Sequence, residues 1–474
     1  MKYSIVNYKN VRAMTLDFRL DADYFRPKYL KEDRQRRHVG NIIIGEFCYV
    51  TDGQHGYHEV DENSPIFHLT AKNAKGWFVH TEGADMLAKW VNDQNKRSSL
   101  KKRDLILSTR GTVGLCALVT EEVLPANIDQ DVARVAILKK EMIKPEYLLT
   151  YLNSKFGQDW LIRNASGMVQ QGLPLDKVRN IPVPLLSCDF QKYTKQIIER
   201  AHGLLQTSKT FYKQAEQILL CEINLQNWKP KYQLSFVKNF SDTLTNARID
   251  AEYFQPMYGE IEKTISKYDR GFDQIGRQFK QNKKSLTRIL DKDYQYIEIS
   301  CVNISDGSMT PMILRGDKLP ANAKIKISLD DIIVSKVRPY RGAIGIVTSS
   351  NYVGSGAFTV LQETGTINKE TLFVFLRSKP MLEYSLKFNT GTSYPTITDD
   401  DILSFPLPLI DETKQKQIKA KVEQGINAKY NSLQLLDIAK RGVEIAIEKD
   451  EKQAQNWMNS ELKKLIQDNQ SLGT

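Results

Sequence analysis

The sequence lacks the features that would place the protein in a membrane or in an oxidising compartment. It has five cysteines in 474 residues, and none of them belongs to a C-x-x-C pair. An odd number of cysteines in a long chain argues against a disulfide framework. The amino-terminal stretch has no apolar core typical of a secretory signal, and no run of about 18 apolar residues occurs. We therefore expect a cytoplasmic protein that does not associate with a membrane.

The sequence also lacks the motifs of common nucleotide-dependent and cofactor-dependent enzymes. There is no G-x-x-x-x-G-K-[ST] loop, no G-x-G-x-x-G between a strand and a helix, and no N/D-P-P-Y/F tetrapeptide of an amino-methyltransferase. Residues 354–357 match a glycine-rich loop only in part, and we interpret them as an ordinary loop. No cluster of carboxylates typical of a metal-dependent nuclease stands out. We predict no catalytic residue and no cofactor bound by this chain.

Four of the six histidines are grouped in the first part of the chain, at His55, His58, His68 and His80. Histidines with H-x-x-H spacing can bind zinc. The second half of the chain contains no histidine, although other elements are duplicated there, and a structural metal would be duplicated with them. We interpret these histidines as loop or core residues and predict no metal site.

The composition is that of a soluble globular protein, with 41% hydrophobic and 26% charged residues. The net charge is +11, and the excess of basic residues is spread along the chain. Spread positive charge is typical of a surface that follows the phosphates of a nucleic acid. Charge alone leaves open the alternative that it serves only solubility.

The chain does contain an internal repeat. The stretch R-L-D-A-D-Y-F-R-P at 19–27 recurs as R-I-D-A-E-Y-F-Q-P at 248–256, an offset of 229 with six of nine residues identical. Other matches follow in the same order along the chain. They are D-L-I-L-S at 104–108 with D-I-I-V-S at 331–335, G-x-x-G at 111–114 with 342–345, I-P-V-P at 181–184 with F-P-L-P at 405–408, and Q-N-W at 226–228 with 455–457.

Each repeat has a mixed part followed by a helical part. Residues 189–223 carry small and apolar residues at alternating steps of four and three, which is a coiled-coil pattern. These are Ile197, Ala201, Leu204, Ser208, Phe211, Ala215 and Ile218. Residues 412–449 follow less regularly, with Ile418, Val422, Ile426, Leu433, Leu436, Val443 and Ile447.

The predicted fold is α+β, with two mixed α/β domains related by pseudo-two-fold symmetry and joined by two long antiparallel coiled-coil-like helices. Each helix would bury the other's apolar stripe over roughly 50 Å. The alternative is that each helix packs only on its own globular domain. The predicted segments are a first mixed domain at 1–188, a first spacer helix at 189–230, a second mixed domain at 231–410, and a second long helix with a helical tail at 411–474.

These motifs, in this order and duplicated, resemble those of type I restriction-modification specificity subunits. The resemblance extends over essentially the whole chain. It includes T-D-G-Q-H at 51–55, which is similar to a D-G-x-H loop common in that family. The second repeat has no such loop, so a role for this loop does not carry over to it.

The resemblance implies two target recognition domains, each reading one half of a bipartite, asymmetric sequence in double-stranded DNA. It also implies that the helical regions set the spacing and dock two methyltransferase subunits. Those subunits would use S-adenosylmethionine to methylate adenine, and restriction/translocase subunits would use ATP and Mg²⁺. The chain itself would not be an enzyme.

Contacts to phosphate need basic side chains on loops, and contacts to bases need polar side chains that differ between the two repeats. For phosphate we select Lys101, Lys102, Arg103 and Arg110 in the first repeat, and Lys336, Arg338 and Arg341 in the second. For bases we select Gln170, Gln171, Ser393 and Tyr394, which lie between a glycine and the P-x-P segment. Exposed basic residues can also serve only to solvate a surface, and a variable turn can reflect simple divergence.

The R-[LI]-D-A-[DE]-Y-F motif is shared by both repeats, so it cannot encode different half-sites. We interpret Arg19, Asp21, Tyr24 and Phe25, with their counterparts Arg248, Asp250, Tyr253 and Phe254, as structural. They would fasten each mixed domain to the helical pair. Docking to a methyltransferase is the alternative.

Three other functions stay open at this point. The chain could be a DNA-targeting adaptor of another phage-defence complex, and a neighbouring methyltransferase gene would argue against this. It could be a nuclease with an unrecognised site, which incubation with DNA and magnesium would reveal. It could be a scaffold that binds only protein, which a DNA-binding titration across salt concentrations would test.

Overall fold

The structure is a computed structural model that describes residues 5–15, 19–166, 172–349, 351–391 and 394–471. It divides into two compact units. The first unit comprises Met1–Leu205 with Lys429–Thr474, and the second unit comprises Gln206–Ala428. Helices and strands are mixed in both units, which confirms the α+β class.

The helices are α1 (Tyr8–Met14), α2 (Pro27–Val39), α3 (Lys89–Gln94), α4 (Pro145–Asn153), α5 (Lys155–Asn164), α6 (Leu175–Arg179), α7 (Cys188–Glu222), α8 (Phe240–Asn246), α9 (Pro256–Ser266), α10 (Ile275–Gln278), α11 (Lys369–Arg377), α12 (Lys379–Tyr384), α13 (Asp399–Ser404), α14 (Glu412–Glu448) and α15 (Glu451–Ser471).

The strands are β1 (Asn41–Ile43), β2 (Cys48–Asp52), β3 (Phe67–Leu69), β4 (Asp85–Met86), β5 (Leu105–Ser108), β6 (Cys116–Leu118), β7 (Ala126–Ile128), β8 (Val132–Ile137), β9 (Pro182–Pro184), β10 (Phe272–Gln274), β11 (Phe279–Gln281), β12 (Asp293–Ile297), β13 (Met312–Arg315), β14 (Ala323–Lys326), β15 (Ile332–Ser335), β16 (Ile344–Ile346), β17 (Tyr352–Ser355), β18 (Phe358–Glu363) and β19 (Pro406–Pro408).

The sheets of the two units have matching strand orders. The first unit has a four-stranded sheet β2-β8-β5-β6, a three-stranded sheet β4-β3-β7 and the pair β1-β9. The second unit has β11-β18-β15-β16, then β13-β12-β17 with β14 added at its edge, and the pair β10-β19. The sequence repeat is therefore a repeat of fold.

β5 and β15 are each the third strand in the order of their four-stranded sheet, and we call them the central strands. Both are buried on both faces. In β5, Leu105 and Leu107 face one apolar core and Ile106 faces another. In β15, Ile332 and Val334 face one core and Ile333 the other. Because successive side chains of a strand point to opposite faces, a strand between two cores is apolar throughout. This explains the D-L-I-L-S and D-I-I-V-S matches.

Several other repeated residues have structural roles. Pro27 and Pro256, which end the nine-residue motif, are the first residues of α2 and α9, where a missing N–H costs little. The P-x-P segments are extended, because β9 pairs with β1 and β19 with β10. Gln191 and Gln415 are buried, and each side chain bonds backbone groups just before α4 and α11, respectively.

The interpretation of the nine-residue motif is confirmed in part. Arg19 bonds Asp21 at 2.8 Å and donates to the Arg163 carbonyl at 2.8 Å, at the end of α5. Arg248 bonds Asp250 at 2.6 Å and donates to the Asn389 carbonyl at 3.3 Å. The motif is structural, but the expectation that it fastens the mixed domain to the long helices is wrong. Its arginine fastens the start of the first repeat to the end of α5, and the start of the second repeat to the chain after α12.

The match of the two G-x-x-G boxes is also wrong by three residues. The Ser108 N–H donates to the Leu115 carbonyl, and the Ser335 N–H donates to the Ala343 carbonyl. Gly114 is therefore the counterpart of Gly342, and both have a positive φ, of 95° and 76°. The turn after the central strand is longer in the second repeat. Aligning the two sequences by their G-x-x-G boxes therefore pairs glycines that do not correspond in the structure.

The two long helices form at the predicted positions, and the antiparallel pairing is visible within the units. In the second unit, the Ser208 Oγ donates to the Gly425 carbonyl at 2.7 Å, and Lys414 pairs with Glu222 at 3.3 Å. In the first unit, the Ser432 Oγ donates to the Ala201 carbonyl at 2.7 Å. These two serine contacts are repeat counterparts of each other.

The predicted stripe of α14 is wrong at two positions. Ile426 and Leu433 are exposed, at 39% and 48%, whereas Gly425 and Ser432 beside them are buried. Small residues let the backbones approach, so the stripe follows them and not the larger side chains. A Cβ added at Gly425 would lie 3.4 Å from the Ser208 carbonyl oxygen.

We predict that Gly425→Val destabilises the protein by about 1–3 kcal/mol, because the branched side chain would overpack the contact with α7. Urea denaturation followed by circular dichroism measures this. Gly203→Val is the matched control, since a Cβ there meets nothing within 4 Å. Equal loss in both variants, or no loss in Gly425→Val, would contradict the close approach.

Candidate nucleic-acid interface

The basic residues selected in the first repeat lie at opposite ends of β5. Lys101, Lys102 and Arg103 precede the strand and Arg110 follows it, so about 13 Å of extended chain separates the two groups. Lys102 pairs with Glu121 at 2.8 Å, and Arg103 pairs with the buried Glu146 at 2.7 Å. The structure does not bring the four residues into one cluster.

Arg110 lies where three segments of the first unit meet. Its backbone forms a β-bridge with Gly172, and Gly172 also bridges to Ser166. Its N–H donates to the Asp131 carbonyl at 3.3 Å, and its guanidinium lies 3.4 Å from the Asp131 carboxylate. We call the chain from Gly172 to the P-x-P segment, and its counterpart from Thr396 in the second unit, the exit segment. In the first unit, the loop after β5, the turn between β7 and β8, and the exit segment therefore lie at one end of the sheet.

The T-D-G-Q-H loop contributes an ordered set of polar groups to the same end. Asp52 accepts from His55 at 2.8 Å and from Arg97 at 3.1 Å. Partial burial raises the pKa of Asp52, but the hydrogen bonds from His55 and Arg97 outweigh it and hold the pKa below its usual value. Gly53 is required, because a Cβ there would lie 1.7 Å from the Ile128 carbonyl oxygen.

This end of the first unit encloses a cleft of about 290 Å³. Its polar lining includes Asp52, Thr109, Arg110, Gln130 and Ser166. Sequence reasoning missed Gln130, since a single glutamine in a turn carries no signal until the fold places it beside Arg110. It also missed Arg97 and Asp131, which orient neighbouring groups.

The second unit places the selected residues together after β15. Lys336 pairs with Asp399 at 3.1 Å, and Asp399 also accepts from the Thr359 hydroxyl at 2.6 Å. The Arg338 guanidinium lies over the Tyr394 ring, 5.0 Å from its centroid. Tyr394 is 70% exposed, so one face of the sheet end presents an arginine and an aromatic ring together.

Four of the selected residues remain, which are Arg341, Gln170, Gln171 and Ser393. Arg341 is exposed, but in the corrected register it corresponds to Val113 and not to Arg110. Gln170, Gln171 and Ser393 lie outside the described residues.

The histidine group is partly buried. His68 is 3% exposed and its ring lies 3.8 Å from that of His58, centroid to centroid. Burial, together with the charge of the neighbouring His58, lowers the pKa of His68 to about 4. In the part of the chain that the structure describes, no three histidine, cysteine, aspartate or glutamate side chains are grouped to hold a metal ion.

Comparison with known proteins gives a sequence relationship. No protein-family model matches the chain. It is 30% identical over 139 residues to the specificity subunit of the type I restriction enzyme EcoBI from Escherichia coli, and 30% identical over 135 residues to that of HindI from Haemophilus influenzae. The chain is similar in sequence to type I restriction enzyme specificity subunits. The matches span 28% and 26% of those relatives, and 29% and 27% of this chain.

Two solved structures are also similar over most of the chain. One is the S subunit of a type I restriction-modification system from M. genitalium, with 13% identity, a TM-score of 0.37, and coverage of 90% of this chain and 95% of that one. The other is the HsdS subunit from Thermoanaerobacter tengcongensis, with 14% identity, a TM-score of 0.27, and coverage of 86% and 96%. The resemblance predicted from the motifs is confirmed by the sequence matches.

Helices able to cross a bilayer are not found among the described residues.

We predict that the first unit loses stability in acid through His68. The folded-state pKa of about 4 lies below the usual 6.5, so the unfolded chain binds the proton first. The stabilisation is complete above pH 6.5 and is lost as the pH falls toward 4, by about 3 kcal/mol.

Urea denaturation at a series of pH values measures this loss. His68→Phe should reduce the loss between pH 6.5 and 4, whereas His38→Gln, at an exposed position of α2, should not. The same acid-induced loss in His68→Phe and in the unaltered protein would contradict the assignment.

Proposed function

We propose that this chain is the specificity subunit of a type I restriction-modification system, and that its two repeats read the two halves of a bipartite DNA target. The observation that carries the proposal is a shared backbone frame with different side chains. At the end of β5 and of β15, the same backbone hydrogen bonds hold an exit segment against the loop after the strand.

The two frames share two sets of backbone hydrogen bonds. Ser166 and Gly172 bridge in the first unit as Thr390 and Thr396 do in the second. The Leu173 N–H donates to the Thr109 carbonyl at 2.7 Å, and the Ile397 N–H donates to the Lys336 carbonyl at 2.9 Å. A constant frame places side chains equally in both units, while different side chains allow different base sequences to be read.

The residues around each frame suit contact with DNA. Arg110 in the first unit, and Arg338 with Tyr394 in the second, combine positive charge with groups able to stack or to bond phosphate and base edges. The basic residues before β5 face the other end of the sheet, so Lys101, Lys102 and Arg103 are proposed only as secondary DNA contacts. The relatives' names support the same function.

In this proposal the chemistry belongs to partner subunits. Two methyltransferase subunits would dock on the long helices and use S-adenosylmethionine, and restriction/translocase subunits would use ATP and Mg²⁺. The pairing of α7 with α14 would then fix the gap between the two half-sites.

The test is to express the chain with its methyltransferase subunits in a host without adenine methylation and to sequence the modified DNA. We expect methylation at one motif with two specified parts separated by an unspecified gap. Expression without this chain is the control and should give no motif. Methylation that is independent of the chain, or a motif in one continuous part, would contradict the proposal.

A further inference from the structure

We propose that the first unit reads its half-site through Arg110 and Gln130, held by Asp131 as a positioning residue, and that this half-site contains a guanine next to or near an adenine. This inference rests on the proposed function and assigns residues to it. The second unit lacks all three side chains at the corresponding positions and must read by other groups.

The correspondence follows from backbone hydrogen bonds. The Thr109 N–H donates to the Asp131 carbonyl at 2.8 Å, and the Lys336 N–H donates to the Ala357 carbonyl at 2.8 Å. Strand register agrees, because Ser108 faces Val132 and Ser335 faces Phe358. Thr109 therefore corresponds to Lys336, and Asp131 to Ala357.

The neighbouring positions then differ in chemistry. Arg110 corresponds to Val337, since both bridge to the exit segment, at Gly172 and Thr396 respectively. Gln130 corresponds to Gly356, one residue before Ala357. A frame that is kept while its polar side chains are replaced is expected where the two units read different bases.

The turn that carries Gln130 is held from both sides. The Asp131 N–H donates to the Asp129 carboxylate at 3.0 Å, and the Asp131 carbonyl accepts from Thr109 and from Arg110. Burial raises the pKa of Asp129 to about 6, although the hydrogen bond from the Asp131 N–H acts to lower it. Because the turn backbone is fixed, Gln130 starts from a constant position at the cleft.

Arg110 is preorganised in the same way. Its backbone is fixed on both sides by Asp131 and Gly172, and its guanidinium lies 3.4 Å from the Asp131 carboxylate. The arginine is 46% exposed in its side chain, so the rest of the guanidinium can reach a ligand. A carboxylate that orients an arginine lowers the entropy lost on binding.

The base assignment follows from donor and acceptor patterns in the major groove. Arginine donates two hydrogen bonds to O6 and N7 of guanine. Glutamine accepts from N6 and donates to N7 of adenine. Because Arg110 and Gln130 line one cleft, the bases they read lie close together in one half-site.

The test is to determine the methylated motif directed by the full complex that contains Gln130→Ala or Gln130→Glu. Gln130→Ala should relax one adenine position in one half-site, by roughly 5- to 150-fold in discrimination. Gln130→Glu should shift that position toward cytosine, whose N4 donates to a carboxylate. Gln274→Ala, at an exposed position of β10 in the second unit, is the matched control and should leave the motif unchanged.

The outcomes separate this inference from the proposed function. A bipartite motif in the unaltered complex that persists in both Gln130 variants would overturn the assignment of Gln130 and leave the function standing. Equal loss of methylation at all sequences would also overturn it, since that is the effect of a phosphate or structural contact. Absence of any bipartite motif in the unaltered complex would overturn the function itself.

Discussion

The structure depends on the backbone hydrogen bonds that fix the chain just after the central strand of each four-stranded sheet. The N–H groups of Thr109 and Lys336 donate to the turn that precedes the neighbouring strand of the sheet, and their carbonyls accept from the exit segment. Because these are backbone bonds, they tolerate changes of side chain at the residues they join. The protein can therefore keep one fold in both units while the groups at the end of the sheet differ.

The two long helices pack closely through small residues. Gly425 and Ser432 on α14 bring its backbone against α7, and the serine hydroxyls at 208 and 432 bond carbonyls across the pair. Such contacts use small residues at repeat-related positions, so the apolar pattern alone does not reveal them. This packing gives the helical pair a defined spacing in the stretches within each unit.

Much of the fold was predictable from the sequence because the same physical requirement occurs twice. The repeat located both central strands, both P-x-P exits and both long helices, since each has a pattern that survives divergence. The register of the glycine boxes was not predictable, because the second repeat has a longer turn and only hydrogen bonding shows that Gly114 corresponds to Gly342.

The candidate site was harder to predict from the sequence than the fold. Arg110, Arg338 and Tyr394 were selected because they lie in loops next to repeated motifs, and the structure places each of them at the end of a central strand. Gln130 could not be selected, because its neighbours in the cleft are about 20 to 80 residues away in sequence and nothing in its own turn indicates a cleft. Sequence matches cover only about a quarter of the curated relatives, so the roles of individual residues are inferred from their contacts in the structure.

The most direct test gives the first unit the side chains of the second at the shared frame. Arg110→Val, Gln130→Gly and Asp131→Ala would be combined in one chain, and the methylated motif would be determined by sequencing. The account predicts that only one half of the motif changes and that the gap stays the same. A change in both halves, or an unaltered motif, would contradict the claim that side chains on a common backbone frame specify each half-site.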